Sequence, residues 1–221
     1  MTKEPGEVAV ITADIVGSSR YSSEDRQRVD EILRHGFQET RAAYRGVLRG
    51  RLNFRVTAGD EFQWVIGEPS KALETLTHLR AVVATADLKL GVRFRASIGV
   101  GEISVAGYEN TYEQDGSAFV RARRGLEELA TRRGVTRSTK LTTGKEHIDA
   151  VADAILGLAD FLFQRWSSSQ WEAVRWSVQG ETREAIASKL KISHQGVTKR
   201  LITSGWPHLE PALGVVSGML L

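Results

Sequence analysis

Two aspartates, each beside a short apolar run, restrict the fold of this chain more than any other feature. Asp14 closes the nearly continuous apolar run 8–13, and Asp60 follows Gly59 in the turn before the run 62–66. A continuous apolar run of this length suits a strand that is buried on both faces. The pattern therefore predicts a covered sheet with acidic side chains where its strands end.

The apolar periodicity predicts the element order β-α-β-β-α-β. Strands are predicted at residues 8–13, 52–57, 62–66 and 92–100, with helices at about 22–44 and 70–85. This order is the ferredoxin-like arrangement. Its first two strands are parallel, and the third lies antiparallel between them, so Asp14 and Asp60 should meet at one edge. A helix at about 115–133, a strand at 139–142 and a long helix from Lys145 are predicted to follow.

A pair of carboxylates at this edge would bind Mg²⁺ or Mn²⁺ through hard oxygen atoms and leave positions for phosphate oxygens. Gly17, Ser18 and Ser19 come next and lead towards a helix N-terminus, where backbone N–H groups favour a phosphate. We therefore predict that Asp14, Asp60 and these three residues form a nucleotide site. The alternative is that both aspartates only stabilise turns.

A second signal near the C-terminus, over residues 169–200, indicates a helix-turn-helix. Ser167 begins a helix that Gly180 ends, a short helix follows at 181–190, and Ser193 begins a third. In such a motif the last helix enters the major groove with its N-terminal residues first. The outward residues of that helix are predicted to be His194, Gln195, Thr198 and Lys199, with Arg200 as a phosphate contact. A helical bundle that serves only dimerisation is the alternative.

The composition excludes several classes of protein. The 221 residues include no cysteine, so disulfides and thiolate metal sites are absent, which fits a cytoplasmic location. The first residues lack an apolar signal core, and no run approaches the ~20 apolar residues that would span a membrane. A formal net charge of +3 permits binding to a polyanion without requiring it. We expect a cytoplasmic protein.

Three motifs resemble the catalytic domain of class III nucleotidyl cyclases: residues 13–19 (ADIVGSS), Gly59-Asp60, and residues 98–103 (IGVGEI). The tetrapeptide GDEF at 59–62 is also similar to that of diguanylate cyclases. The whole chain resembles the SatD family, bacterial proteins with a cyclase-like N-terminal domain. The resemblance to cyclases covers about residues 8–133, and residues 184–201 resemble the helix-turn-helix of sigma-factor region 4.

The resemblance implies that Asp14 and Asp60 are the metal ligands, assisted by the backbone carbonyl of Ile15. It also implies a homodimer with composite sites, because cyclase domains work as two-fold dimers. At the transition-state positions, Arg124 retains the arginine of the cyclases, but Val120 stands where they have asparagine.

The base-reading positions also depart from the cyclases. Val56 replaces the lysine, and Glu113 retains an acidic residue. A valine can neither donate nor accept a hydrogen bond, and loss of one positioned polar group typically costs ~10²–10³ in rate. The motifs therefore favour a domain that binds a nucleotide over one that turns it over efficiently.

Together these features predict an α+β protein of two domains. Residues 1–144 would form a ferredoxin-like cyclase domain, and residues 145–221 a linker helix with an all-α helix-turn-helix domain. The predicted function is a bacterial transcription regulator that binds double-stranded DNA as a homodimer. A nucleotide or cyclic (di)nucleotide would modulate this binding. The alternative is a divergent, metal-dependent nucleotidyl cyclase or nucleotide-processing enzyme, in which Arg124 would be catalytic.

Overall fold

Strands and helices alternate along the first part of the chain, and helices alone follow. The computed structural model describes residues 7–49, 60–103, 116–131 and 137–221. Within them the strands are β1 (Val8–Ile15), β2 (Leu48–Arg49), β3 (Glu61–Ile66), β4 (Phe94–Gly101) and β5 (Thr139–Thr142). The helices are α1 (Ser23–Ala43), α2 (Ala72–Ala86), α3 (Ser117–Thr131), α4 (Glu146–Phe163), α5 (Ser168–Ser177), α6 (Arg183–Leu190), α7 (His194–Ser204) and α8 (Trp206–Gly218). The predicted mixture of strands and helices is confirmed.

The described strands form one sheet in the order β2-β3-β1-β4-β5. The central strand β1 is antiparallel to β3 and β4, β3 is antiparallel to β2, and β5 runs parallel to β4. In this register Asp14 lies opposite Glu61 on one side and Arg95 on the other. The strand predicted at 52–57 lies outside the described residues.

Helices cover the sheet on both faces, which explains why β1 is apolar along its length. Ile11 and Ile15 belong to the large core beneath α1 and α2, whereas Val8 and Val10 pack with α3. Helix α3 packs closely on β4. A Cβ atom on Gly99 would lie far inside contact distance of the Ala118 carbonyl oxygen and the Ala122 nitrogen. Glycine in β4 is therefore a packing requirement.

Asp160, in α4, ties the C-terminal helices to the sheet. Its carboxylate is 0% exposed and accepts hydrogen bonds from the backbone N–H groups of Ser138 (2.7 Å) and Thr139 (2.9 Å). Both hydroxyls also donate to it at 2.7 Å. Because a buried carboxylate needs such partners, Asp160 fixes α4 against the start of β5.

Aromatic side chains form the core of the C-terminal part. The ring centroids of Trp166 and Trp171 are 4.6 Å apart, and Phe163 and Trp206 contact the same cluster. The apolar segment at 212–221 contributes Leu213 and Val216 to the core through α8, so it packs against protein. In the described part of the chain no helix is both long and apolar enough to cross a bilayer.

Candidate functional site

Asp14 and Asp60 lie side by side at the end of β1. The backbone N–H of Ile15 donates to the Asp60 carbonyl oxygen at 3.1 Å, which fixes the two chain segments next to each other. Both aspartates are partly buried. We call Asp14, Asp60 and the side chains that contact them the acidic edge.

Arg95 pairs with Asp14 across the β1–β4 ladder. Its Nε donates to Asp14 Oδ1 at 3.0 Å, and Nη2 donates to Oδ2, so the contact is bidentate. The hydrogen bond to Asp14 raises the pKa of Arg95, and the charges of Asp14 and Asp60 raise it further. Both carboxylates therefore act on one guanidinium. The sequence motifs did not indicate Arg95, because its partner lies on another strand.

Ser18 holds the second aspartate. Its hydroxyl donates to Asp60 Oδ2. Gly17 adopts φ = 76°, a left-handed conformation that glycine tolerates, and starts a 3₁₀ turn over Ser18–Arg20. The N–H groups of Arg20 and Tyr21 close this turn at 2.9 and 3.2 Å, whereas those of Ser18 and Ser19 donate to no described residue.

Gly17, Ser18 and Ser19, the predicted phosphate residues, lie at a 3₁₀ turn that is separate from the following helix. Helix α1 begins later, at Ser23, and Ser22 and Asp25 form its capping box. The capping box gives partners to the N–H groups of Ser22 and Asp25. Any phosphate at Gly17, Ser18 and Ser19 must bind to the 3₁₀ turn.

The two carboxylates of the acidic edge are of the type that a divalent cation binds, and both are bonded to side chains of the protein here. Two adjacent carboxylates are hard oxygen ligands of the kind that Mg²⁺ and Mn²⁺ accept. Among the described residues, no group of three or more His, Cys, Asp or Glu side chains is arranged to hold a metal. The remaining ligands would have to come from backbone, water or phosphate oxygens.

The transition-state positions lie on α3, apart from the aspartates. The Arg124 side chain is 80% exposed, with its Nε 3.5 Å from Glu128 Oε1, and Val120 is 60% exposed. No described contact joins either of them to Asp14 or Asp60. Arg123 of α3 instead approaches the start of β3, with its Nη2 3.6 Å from Glu61 Oε2. Residues 56 and 113 lie outside the described ranges.

Side-chain caps begin the three helices that correspond to the predicted helix-turn-helix. Ser167, Thr182 and Ser193 each accept a hydrogen bond from the backbone near the start of α5, α6 and α7, and Ser167 and Ser193 are the predicted caps. Between α6 and α7, Lys191 adopts a left-handed conformation with φ = 53°. Buried apolar side chains, Ile186, Val197 and Leu201, join these helices.

Of the five residues predicted to contact DNA, three are exposed and two face the protein. His194, Gln195 and Lys199 are exposed at the start of α7, and His194 Nε2 lies 3.2 Å from Glu184 Oε1. Thr198 is half-buried. Arg200 Nη1 is paired with Glu172 Oε2 of α5 at 2.8 Å, so its guanidinium is directed into the helix cluster. Exposed cations at this surface are Lys199 and Lys191.

The molecule combines a mixed β-sheet, which carries two aspartates where one strand ends, with a series of short capped helices. The model of the SatD family matches residues 7–207, so the chain belongs to the SatD family, as the motifs predicted. A comparison with curated proteins finds no match. Among solved structures, a bacterial light-regulated adenylyl cyclase matches with 15% identity and a TM-score of 0.44, over 66% of this chain and 80% of that one.

Proposed function

We propose that this SatD-family chain is a bacterial transcription regulator of the cytoplasm. In this proposal α5–α7 form a helix-turn-helix that binds double-stranded DNA, and the sheet domain is a ferredoxin-like, degenerate cyclase that binds a nucleotide. The domains divide at about residue 144. The observation that carries the proposal is the exposed surface of α7, where Gln195 and Lys199 face solvent on a helix that Ser193 caps.

The chemistry of α7 supports DNA as the partner. The helix contains no acidic residue, and Gln195 and Lys199 are both exposed. Glutamine can pair with adenine, and lysine can pair with guanine or contact a phosphate. Lys191, in the preceding turn, adds a cation on the approach to the groove. The pairing of Arg200 with Glu172 removes it from the proposed contact set.

The acidic edge supports a nucleotide as the effector. Asp14 and Asp60 would hold Mg²⁺ or Mn²⁺, with the Ile15 carbonyl as a third ligand, and the metal would neutralise phosphate charge when bound. The N–H groups of Ser18 and Ser19 would donate to a phosphate of a nucleotide or cyclic (di)nucleotide. Val120 lacks the polar group that cyclisation requires, so binding without efficient turnover is expected.

A homodimer would place two copies of α7 on paired half-sites, as is usual for this motif. A nucleotide bound to the sheet domain would change the spacing of the two α7 helices and thereby couple the effector to the operator. Equal operator affinity with and without every nucleotide tested would refute this coupling.

The test is selection of genomic DNA fragments with purified protein. We expect a discrete sequence with two related half-sites, lost in a Gln195→Ala, Lys199→Ala variant. The matched control is Gln27→Ala, Lys89→Ala, which removes the same side chains from exposed positions on α1 and on the turn after α2. Equal enrichment by the two double variants, or no specific DNA at low salt, would contradict the proposal.

A second candidate, a nucleotide-processing enzyme, is favoured by the closeness of Asp14 and Asp60. Arg124 would then stabilise the transition state. Incubation with Mn²⁺ and each nucleoside triphosphate distinguishes the two, because a product that disappears in Asp60→Ala would establish the enzyme. Retention of the product in Asp60→Ala would assign it to a contaminant.

A further inference from the structure

A cavity of about 330 Å³ lies between the sheet domain and the C-terminal helices, away from the exposed face of α7. Residues from α2, the start of β4, the end of α3, α4 and α5 line it. Its apolar walls include Val83, Phe94, Leu129, Phe163 and Trp171. A volume of this size lies within the range of small-molecule sites, and such sites combine apolar walls with a few placed polar groups.

The polar groups of this cavity are mainly cationic. Arg80, Arg93, Arg95 and Arg137 all line it, and none of its described lining residues carries a carboxylate. Two of these arginines have acidic partners outside the lining: Asp14 for Arg95, and Asp153, whose Oδ2 lies 2.7 Å from Arg137 Nη2.

The other two arginines have no ion pair with a described residue. Arg93 is exposed. Arg80 is partly buried, and its guanidinium donates to neutral groups, among them the Ser138 carbonyl oxygen at 2.8 Å and the Thr139 hydroxyl at 3.0 Å. Both of its Nη groups have acceptors, and its buried Nε has no hydrogen-bond partner among the described residues. Burial lowers the pKa of Arg80, and the nearby Asp160 charge opposes that shift.

A wall with several cationic side chains and no described carboxylate favours an anion, and the exposed guanidinium of Arg93 has planar donors free for it. We propose that this cavity binds an anionic, amphipathic small molecule. Its carboxylate, sulfonate or phosphate group would lie beside the exposed guanidinium of Arg93, with the charge of Arg80 nearby, and its aromatic or aliphatic body against Phe94 and Leu129. The site is distinct from the phosphate-binding turn at Ser18, and the proposal concerns binding alone, so it stands whether or not the chain binds DNA.

The test uses 1-anilinonaphthalene-8-sulfonate, an aromatic anion, as the probe, with the full chain and isothermal titration calorimetry. We expect saturable binding of one probe per chain. N-phenyl-1-naphthylamine, which has the same apolar body without the sulfonate, should bind at least about tenfold more weakly because it lacks the charged contact. Equal affinity for the charged and neutral probes would overturn the proposal.

Two variants locate the probe. Ala130→Trp, at an exposed position of the lining on α3, should fill the cavity and abolish binding. Arg93→Gln should weaken binding about tenfold without altering the fold, because Arg93 is exposed and unpaired among the described residues. Arg41→Gln, on α1, is the matched control, because α1 contributes no residue to the cavity. The proposal fails if Arg93→Gln and Arg41→Gln bind the probe equally, or if a folded Ala130→Trp variant still binds it.

Discussion

The acidic edge and the exposed start of α7 are both polar, but they differ in how their side chains are satisfied. At the acidic edge, Asp14 is bound by Arg95 and Asp60 by Ser18. At α7, Gln195 and Lys199 project into solvent, while Ser193 supplies a backbone cap beneath them. One region is held together by contacts between elements, and the other is organised within a single helix.

This difference sets what each region needs before it can bind a partner. A cation at the acidic edge must compete with the Arg95 guanidinium for Asp14. When α7 enters a DNA groove, it must lose its bound water and the contact between His194 and Glu184. Both of these groups are exposed, so this contact is weak. The acidic edge should therefore respond strongly to changes in its supporting residues, and α7 weakly.

The largest effect is expected from Asp160→Asn, which alters the support of β5 beside the acidic edge. An amide cannot accept all the hydrogen bonds that the buried carboxylate receives from Ser138 and Thr139. We expect a loss of about 3–5 kcal/mol in the free energy of unfolding, measured by urea denaturation. The control Glu146→Gln, at an exposed position of α4, should cost less than about 1 kcal/mol. Similar losses in the two variants would contradict this role.

Gly99→Ala tests the close packing of α3 on β4. The added methyl group would overlap backbone atoms of Ala118 and Ala122, so α3 must move. We expect a destabilisation of about 1–3 kcal/mol by chemical denaturation. Gly214→Ala, in α8, meets nothing within 4 Å and should be neutral or stabilise the helix by up to about 1 kcal/mol. A neutral Gly99→Ala would show that α3 can shift freely.

Arg95→Gln examines whether the acidic edge is held closed by its own arginine. Without the guanidinium, Asp14 and Asp60 repel each other, so a divalent cation should bind at least about tenfold more tightly. Titration with MnCl₂, followed by calorimetry, measures the change. Arg93→Gln, two residues earlier and without an ion pair to any described residue, is the control. No Mn²⁺ binding in either variant would argue against a metal at this edge.

The smallest effect is expected from Ser193→Ala, which removes the cap of α7. Its hydroxyl accepts from the Gly196 N–H at 3.1 Å. We expect a loss of about 1 kcal/mol, confined to the C-terminal helices and detectable as faster amide exchange there. Ser193→Asp retains an acceptor and should restore the protection. Uniform loss of protection across the sheet would show that the two regions unfold together.

Local patterns in the sequence predicted the described elements well. The strand at 139–142 coincides with β5, and the caps Ser167 and Ser193 lie where the helix starts were expected. These features depend on residues a few positions apart, through alternation, helical spacing and capping. The position of Asp14 at the end of β1 belongs to the same class, because the apolar run ends there.

Contacts between distant elements could not be predicted in this way. Arg95 and Asp14 are paired although 81 positions separate them, and Arg200 pairs with Glu172 instead of facing outwards. Both pairs depend on which elements become neighbours and at what register, and a long flexible side chain can take several partners from the same backbone position. The cavity between the sheet domain and the C-terminal helices likewise depends on how α4 and α5 are seated.

The sequence by itself therefore determined the strands β1, β3, β4 and β5, the helix starts and the presence of two aspartates at one edge. Only the tertiary structure decided which charges those aspartates meet, which residues of α7 stay exposed, and that four arginines share one apolar cavity. The physical reason is the distance along the chain over which each kind of interaction acts. Backbone periodicity and capping act over one or two turns, whereas ion pairing and burial are set by surfaces that packing brings together from distant parts of the chain.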